Sequence, residues 1–212
     1  MGNTETAEEK MRQLKPREMQ AQKSRDVILD ATIRCLDKYG YAEASTTRIT
    51  EKAGISRGAL THHFSSKEDL IVAATNKILN QAIFRPRLRE DETRTVEDDL
   101  YRLWDRIVNT YQMRALIEIL VASRTDLALS KRVKHELVQW NDRLNEAAFE
   151  NYEAVEGGDE ELRRIWTIAR VFFRGLTTHD AFVRPGENHR DLVDTFIQMV
   201  APKLKRRQQE KQ

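Results

Sequence analysis

A short run of small and polar residues, Ser56 to Phe64, carries the most informative chemistry of the sequence. A helix over this run would have small residues near its start, as entry into the major groove of DNA requires. Its exposed face would carry four residues: Arg57, Gly58, Thr61 and His62. An arginine can donate two parallel hydrogen bonds to O6 and N7 of guanine, and threonine or histidine can reach bases or phosphates. The run therefore predicts a surface that reads DNA.

The flanking sequence predicts the elements that would hold this surface. Residues 45–53 form a short helical stretch, Gly54-Ile55-Ser56 breaks it, and the helix 57–64 follows. Two short helices joined by a tight glycine-containing turn are typical of a helix-turn-helix. A longer helix precedes them and ends at Gly40, which can take the left-handed conformation after a last helical turn. Leu60 and Phe64 would anchor the second short helix to the first helix.

Positions around the two short helices could bind phosphate. Ser45, Thr46 and Lys67 lie at predicted helix N-termini, whose free N–H groups attract anions. His63 is expected to contact the DNA backbone. A metal site at His62-His63 is not expected, because neighbouring helical residues point to different sides. Ser65 and Glu68 predict a capping box for the next helix.

The same region resembles the DNA-binding region of the TetR family of bacterial transcriptional regulators. The resemblance covers roughly residues 24–72, and these positions carry it: Gly40-Tyr41, Ile49, Ala53-Gly54-Ile55-Ser56, Gly58, Leu60, His63-Phe64, Ser66-Lys67-Glu68 and Leu70. Thr61 stands where the family usually has a tyrosine that touches the DNA backbone. The resemblance implies a homodimer that binds a palindromic operator, usually as a repressor. It also implies an effector held by C-terminal helices and a dimer formed by the last two helices.

Composition limits the folds that the chain can adopt. The 212 residues include 8 Gly and 4 Pro, and the apolar periodicity is helical almost throughout. We expect an all-α fold of about nine helices. The parts are a flexible arm (1–20), a three-helix DNA-binding domain (21–75) and an effector-binding and dimerisation domain (76–207). The tail from Lys203 onwards is expected to be solvated and frayed.

Charge and cysteine content narrow the function classes. The net charge is only +2, but residues 15–67 hold ten Lys or Arg against six Asp or Glu. The single cysteine, Cys35, lies on an apolar helix face and excludes a disulfide within the chain, which suits a cytoplasmic protein. The sequence has no membrane-spanning apolar run, no paired acid and base at useful spacing, and no phosphate loop. We therefore expect no catalytic residues, no cofactor, no metal and no membrane association.

The C-terminal helices carry apolar stripes that allow two interpretations. Their aromatic and adjoining residues would line an effector pocket or simply fill a core, and the candidates are Trp104, Tyr111, Trp140, Trp166, Arg170 and Phe173. Arg170 would anchor an anionic effector or form an ordinary salt bridge. The last two helices have more apolar surface than the chain has elements to cover, which predicts pairing with a second copy. The predicted dimer residues are Phe172, Leu176, Leu192, Phe196, Ile197 and Val200.

These observations favour a repressor released from double-stranded operator DNA by a small-molecule effector of unknown identity. The alternative is a ligand-independent dimeric DNA-binding protein. An α-helical enzyme fits much less well, because the sequence lacks the parts that an active site needs.

Overall fold

The computed structural model describes residues 16–84, 94–179 and 189–207, and within these ranges the chain forms nine α-helices. The predicted connector at 85–94, except Arg94, and the predicted break at residues 184–186 lie outside them. In chain order the α-helices are α1 (Pro16–Glu43), α2 (Thr46–Ala53), α3 (Arg57–His63), α4 (Lys67–Phe84), α5 (Val96–Leu103), α6 (Tyr111–Ser123), α7 (Leu127–Asn151), α8 (Gly158–His179) and α9 (His189–Val200). A π-helical turn (Trp104–Val108) follows α5, and a 3-10 turn (Ala201–Lys203) follows α9.

The all-α fold with an N-terminal helix-turn-helix is confirmed, with one addition. Two three-residue strands, β1 (Tyr152–Ala154) and β2 (Leu204–Arg206), pair antiparallel, with Tyr152 opposite Arg206. The expectation of a frayed tail from Lys203 is therefore wrong for these residues. Leu204 is buried and gives the strand an apolar anchor that charge composition does not reveal.

The first helix packs along α6, so that one apolar core joins the N-terminal helices to the middle of the chain. Ile28 and Leu36 of α1 are fully buried in the same cluster as Leu116 and Ile119 of α6. The chain kinks at Gly40, which adopts a φ of 73°. This conformation favours glycine, and a Cβ atom there would lie 2.9 Å from the Glu118 carboxylate and displace it.

A second core cluster joins α5, α8, α9 and the two strands around a buried carboxylate. Asp99 is 4% exposed and accepts a hydrogen bond of 2.9 Å from the Tyr152 hydroxyl. Arg206 of β2 lies 3.6 Å from the same carboxylate, and Arg94 lies 4.0 Å from its other oxygen. Burial raises the pKa of the Tyr152 phenol, which keeps it a hydrogen-bond donor. This network holds the C-terminal strand against the helices, because a buried carboxylate needs such partners.

The predicted domain boundaries cut through continuous helices. Residues 16–20, which we assigned to a flexible arm, belong to α1, and α4 runs unbroken across the boundary at 75 and 76. The arm itself, 1–15, lies outside the described residues.

The N-terminus of α4 is capped one residue later than expected. The Asp69 N–H donates to Ser66 Oγ at 3.0 Å, so Ser66 rather than Ser65 is the capping residue. The Ser65 hydroxyl donates to the Asp69 carboxylate, which also pairs with Arg132 of α7. Together with Ser66, these groups lower the pKa of Asp69 from its ordinary value of 3.8 to about 2, with Ser65 the largest cause. Asp69 therefore ties the start of α4 to the C-terminal helices.

We expect Asp69→Asn to lower the midpoint of urea unfolding at neutral pH. The folded-state pKa is depressed, so the stabilisation is present above the ordinary value of 3.8 and is lost as the pH falls towards 2. The difference between wild type and variant should therefore shrink as the pH is lowered below about 4. Asp142→Asn, at an exposed site on α7, is the control and should show no such trend. A difference that stays constant from neutral to acidic pH would contradict this assignment.

Candidate functional site

The helix-turn-helix is built by local capping. Ser45 caps α2, its side chain accepting from the Arg48 N–H at 3.3 Å, and Ser56 caps α3, accepting from the Ala59 N–H at 3.1 Å. Gly54 ends α2 with a left-handed φ of 67°, which lets the chain turn within two residues. The predicted boundaries of the two helices agree with the structure to within one residue.

The exposed face of α3 carries the four residues that its sequence predicts. Arg57, Gly58, Thr61 and His62 are exposed, and His63 is half-buried. The Thr61 hydroxyl donates to the Gly58 carbonyl at 3.0 Å, which folds this side chain back along its own helix. The face is thus a narrow strip with one long cation at its N-terminal end.

Gly58 has no internal reason to be glycine. It is exposed on α3, and a Cβ built there would meet only Ser56 Oγ at 3.8 Å, an ordinary van der Waals distance. Its φ lies outside the left-handed region, since the described glycines with positive φ are at other positions. A glycine that neither packing nor conformation requires is consistent with the close approach of another molecule.

The opposite face of α3 fixes the helix to the core. Leu60 and Phe64 are 3% and 5% exposed and lie in the cluster that contains Ile28. Arg25 of α1 places its guanidinium 4.4 Å from the Phe64 ring centre and donates to the His63 carbonyl at 3.3 Å. Sequence analysis missed Arg25, whose role depends on the packing of α1 beside the end of α3.

The predicted phosphate-binding positions are arranged beside this strip. Ser45 is exposed, whereas Thr46 is half-buried. Lys67 is also half-buried and donates to the Tyr41 carbonyl at 3.1 Å, with its ammonium 4.9 Å from the Tyr41 ring. Lys67 is therefore held in place rather than extended into solvent.

Other chemistry at this region is limited to side-chain packing. The His62 and His63 rings meet edge to face at 5.4 Å, and the described ranges contain no group of three or more residues that could hold a metal ion. Cys35 is a core residue, and burial raises the pKa of its thiol, which makes the thiol a poor nucleophile. No helix in the described part of the chain is both long and apolar enough to cross a membrane.

The six predicted effector residues do not form one group. Trp140 and Tyr111 belong to or pack against the first core cluster, whereas Trp104 and Phe173 belong to the second, with ring centres 5.6 Å apart. Trp166 and Arg170 are half-buried on the flank of α8 that faces α7. Sequence periodicity cannot separate these environments, because all six side chains lie on or beside apolar stripes.

A small internal hollow and a wider surface hollow lie in the described regions, and neither contacts these six residues. One, between α4, the π-helical turn and α6, has a volume of about 10 Å³ and is lined by Ile78, Ile107 and Met113 among others. The other, of about 500 Å³, is lined mainly by exposed residues such as Val155 and Pro202 beside β1. Neither is the apolar cavity of several hundred Å³ that a preformed effector site would provide.

Four of the six predicted dimer residues face their own protomer, which corrects their assignment. Leu176, Phe196, Ile197 and Val200 are buried in the second cluster. Phe172 is partly buried and stacks on Phe196 at 4.1 Å, whereas Leu192 is 45% exposed. The sequence shows that α8 and α9 are apolar, but it does not show which stripe they use to pack on each other.

A different apolar face of α8 and α9 is exposed, and sequence analysis missed it. It comprises Ile168, Val171, Gly175, Leu192 and Met199, and we call it the α8–α9 face. Val171 and Met199 are 64% and 65% exposed, and a Cβ at Gly175 would meet nothing within 4 Å. The signal available in the sequence was the spacing of three and four residues between Ile168, Val171 and Gly175.

Comparisons with known proteins agree with this architecture. Residues 28–74 match the sequence profile of the family described as bacterial regulatory proteins, tetR family. An uncharacterized HTH-type transcriptional regulator of Mycobacterium bovis is 30% identical over 124 residues, covering 57% of this chain and 64% of that protein. The HTH-type transcriptional repressor AcnR of Corynebacterium glutamicum is 46% identical over 50 residues, covering 24% of this chain and 27% of the repressor. The matches thus span less than two thirds of either relative.

The likeness in structure extends further along the chain. The transcriptional regulator FadR from Bacillus subtilis, solved in complex with stearoyl-CoA, aligns with a TM-score of 0.61 at 16% identity. The alignment covers 83% of this chain and 97% of that one, and at this identity it shows the fold alone. Residues 28–74 therefore carry a DNA-binding domain of the type found in the tetR family of bacterial regulatory proteins, and most of the chain shares the fold of FadR.

Proposed function

We propose that this chain is a cytoplasmic transcriptional repressor that binds a palindromic DNA operator as a homodimer and releases it when a small molecule binds its C-terminal helices. The observation that carries the proposal is the exposed strip of α3, with Arg57 at its start and a glycine that neither packing nor backbone conformation requires. The relatives are named as regulators and repressors, which supports regulation rather than catalysis.

In this proposal α3 enters the major groove of the operator. Arg57 donates to a guanine edge, Gly58 lets the helix backbone approach the DNA, and Thr61 and His62 reach neighbouring bases or phosphates. Thr61 is shorter than the tyrosine usual in the family, so its contact depends on close docking. Ser45, Thr46, His63 and Lys67 bind the flanking phosphates and set the register.

The dimer forms through the α8–α9 face. The face exposes large apolar side chains, such as Val171 and Met199, on two adjacent helices, and such a patch favours contact with another protein surface. Gly175 lets a second α8 approach closely. Two copies related by a two-fold axis would bury the face in a four-helix arrangement. A dimer is also what a short recognition helix needs, because one half-site holds too little sequence to specify one place in a genome.

The effector remains the least constrained part of the proposal. The solid core clusters and the small size of the internal hollow favour the second candidate, a dimer that binds DNA without any ligand. The flank of α8 that carries Trp166 and Arg170 favours an effector, because it holds a partly buried guanidinium and a buried indole N–H without an acceptor among the described residues. FadR, which shares the fold, is solved with a bound acyl-CoA, which supports a ligand site in this architecture.

Selection from a pool of random duplex DNA tests DNA recognition directly. The purified protein should enrich an inverted repeat whose half-site centres are about one helical turn, or a multiple of it, apart. On the enriched sequence, Arg57→Ala should weaken binding by about 1–3 kcal/mol, because a bidentate contact to a base is lost. Arg124→Ala, which removes an exposed arginine far along the chain, is the matched control and should bind normally.

Gly58→Ala sharpens the same experiment. The added methyl group fits within the protein and replaces a poor helix former, so thermal stability should hold or rise by up to about 1 kcal/mol. DNA affinity should nevertheless fall, because the methyl group blocks close approach of α3. Enrichment of no motif, or normal binding by both variants, would show that α3 is not the recognition helix.

The dimer is tested by sedimentation of Val171→Glu and Met199→Glu. Both side chains are exposed in the protomer, so each variant should keep its helical circular dichroism while sedimenting as a monomer at micromolar concentration. Val138→Glu changes another exposed valine, on α7, and should leave the dimer intact. A monomeric wild type, or dimeric variants, would rule out this interface.

A further inference from the structure

The seam between α7 and α8 holds two arginines that have no acidic partner among the described residues. Arg170 and Arg174 lie on consecutive turns of α8, and both are half-buried. Arg170 donates to the neutral Asn141 side chain at 3.3 Å, and the Arg174 guanidinium lies 5.8 Å from the centre of the Trp140 ring. Other arginines in the described chain do pair with carboxylates, among them Arg114 with Asp37, Arg132 with Asp69, and Arg206 with Asp99.

This arrangement is unfavourable in the empty protein. Burial lowers the pKa of the Arg170 guanidinium, and burial together with the charge of Arg170 lowers the pKa of Arg174. Like charges four residues apart on a helix repel each other, and a partly buried charge loses hydration without gaining a counter-charge. Such an arrangement is typical of a binding site, where a ligand supplies what the protein lacks.

Buried N–H donors of the same seam also have no acceptor within the described ranges. Trp140 is 3% exposed, and its indole N–H has no partner; the buried indole N–H of Trp166 has none either. Buried donors are nearly always paired in folded proteins, so two in one seam call for an external acceptor.

Helix geometry places these groups together. Trp166, Arg170 and Arg174 follow one another at steps of four and therefore share one face of α8. Three contacts fix α7 antiparallel to it: Trp140 with Arg174, Asn141 with Arg170, and Phe149 with Arg163. Asn145 then lies opposite Trp166, and its buried side-chain oxygen is also without a partner. Its amide orientation can be reversed to offer another donor.

We propose that this seam is an anion-binding subsite, in which Arg170 and Arg174 bind the carboxylate or phosphate group of an effector and the rings of Trp140 and Trp166 contact its apolar part. To call the ligand an effector rests on the proposed function, but anion binding at this site does not depend on DNA binding. Guanidinium groups match the planar pairs of oxygens that both anions present. A carboxylate or phosphate also accepts from an indole N–H group, so an anion in the seam supplies the kind of acceptor that these donors lack.

The position of the subsite connects it to the DNA-binding domain. An anion held between α7 and α8 links the two helices, because it offsets the repulsion between Arg170 and Arg174 along α8 and accepts from the indole N–H of Trp140 on α7. The other end of α7 carries Arg132, which pairs with Asp69 in the first turn of α4. That turn directly follows α3, so a shift of α7 moves the helix that supports the recognition helix.

Thermal unfolding of the wild-type protein with defined probes is the first test. Octanoate, octyl phosphate and inorganic phosphate supply the anion, and octanol supplies the same chain without charge, all at one ionic strength. We expect stabilisation by octanoate or octyl phosphate and none by octanol, with quenching or a shift of tryptophan fluorescence. The stronger of the two octyl anions identifies carboxylate or phosphate as the group recognised. No stabilisation by any anion, or equal stabilisation by octanol, would overturn the subsite.

Variants at the two arginines provide the second test. Arg170→Gln and Arg174→Gln should each weaken binding of the stabilising anion about tenfold or more, because charge-assisted hydrogen bonds are lost. Without anion they should melt at or above the wild-type temperature, since each removes an unpaired charge. Arg163→Gln, on the same helix but over Phe149, is the matched control and should bind like the wild type. Normal anion binding by both variants, or an equal loss in the control, would contradict the assignment.

Operator binding measured in parallel separates this inference from the proposed function. If DNA binds but anions do not, the subsite is wrong and the regulator stands. If anions bind and the arginine variants lose them while no DNA is selected, the subsite stands and the proposed function is wrong.

Discussion

The packing of α1 against α6 is the constraint on which the rest of the structure depends. Two of the three helices of the DNA-binding domain, α2 and α3, are short, and so small a unit buries too little apolar surface to be stable by itself. Here Leu116 and Ile119 of α6 complete its core from outside. Polar contacts fix the register: Arg114 pairs with Asp37 at 2.6 Å, and the Tyr41 N–H donates to Glu118 at 3.4 Å.

This shared core explains how the functional surfaces can influence one another. The α3 strip is held by Phe64 and Leu60 in the core that also contains Trp140 of α7. The α7–α8 seam lies on the other side of Trp140, and the α8–α9 face lies beyond that on α8. A structural change caused by a ligand in the seam therefore needs no separate hinge to be passed on to α3, because each intervening contact is between packed side chains or paired charges. In the proposed dimer, a population shift between two geometries would be sufficient for release of DNA.

Sequence alone predicts the parts of the molecule that local chemistry determines. Ser45, Ser56 and Gly54 set the bounds of α2 and α3 through caps and a left-handed turn, which depend on neighbours in the chain. The exposed strip of α3 follows from the same local pattern. The capping of α4 was displaced by one residue, because two adjacent serines compete for the position and Ser65 binds Asp69 instead.

Features that depend on distant partners could not be predicted in the same way. Phe196 and Ile197 are apolar enough for a dimer interface, but α9 uses them to pack on its own protomer, which leaves Met199 exposed. For Arg174 the sequence shows only its spacing from Arg170. Its role in a binding site can be inferred once α7 is known to lie beside it. Strand β2 depends on Asp99, more than a hundred residues earlier, to hold Arg206.

Native-state hydrogen exchange of the whole protein tests the central claim most directly. If α1 and α6 form one cooperative unit, the slowest amides of α1, around Ile28 to Leu36, should exchange with the same opening free energy as those of α6, around Ala115 to Ile119. Both should respond equally to low concentrations of urea. Opening of the α1 amides at a clearly lower free energy, with α6 still protected, would contradict the account, because the DNA-binding domain would then unfold independently of the helices that are proposed to control it.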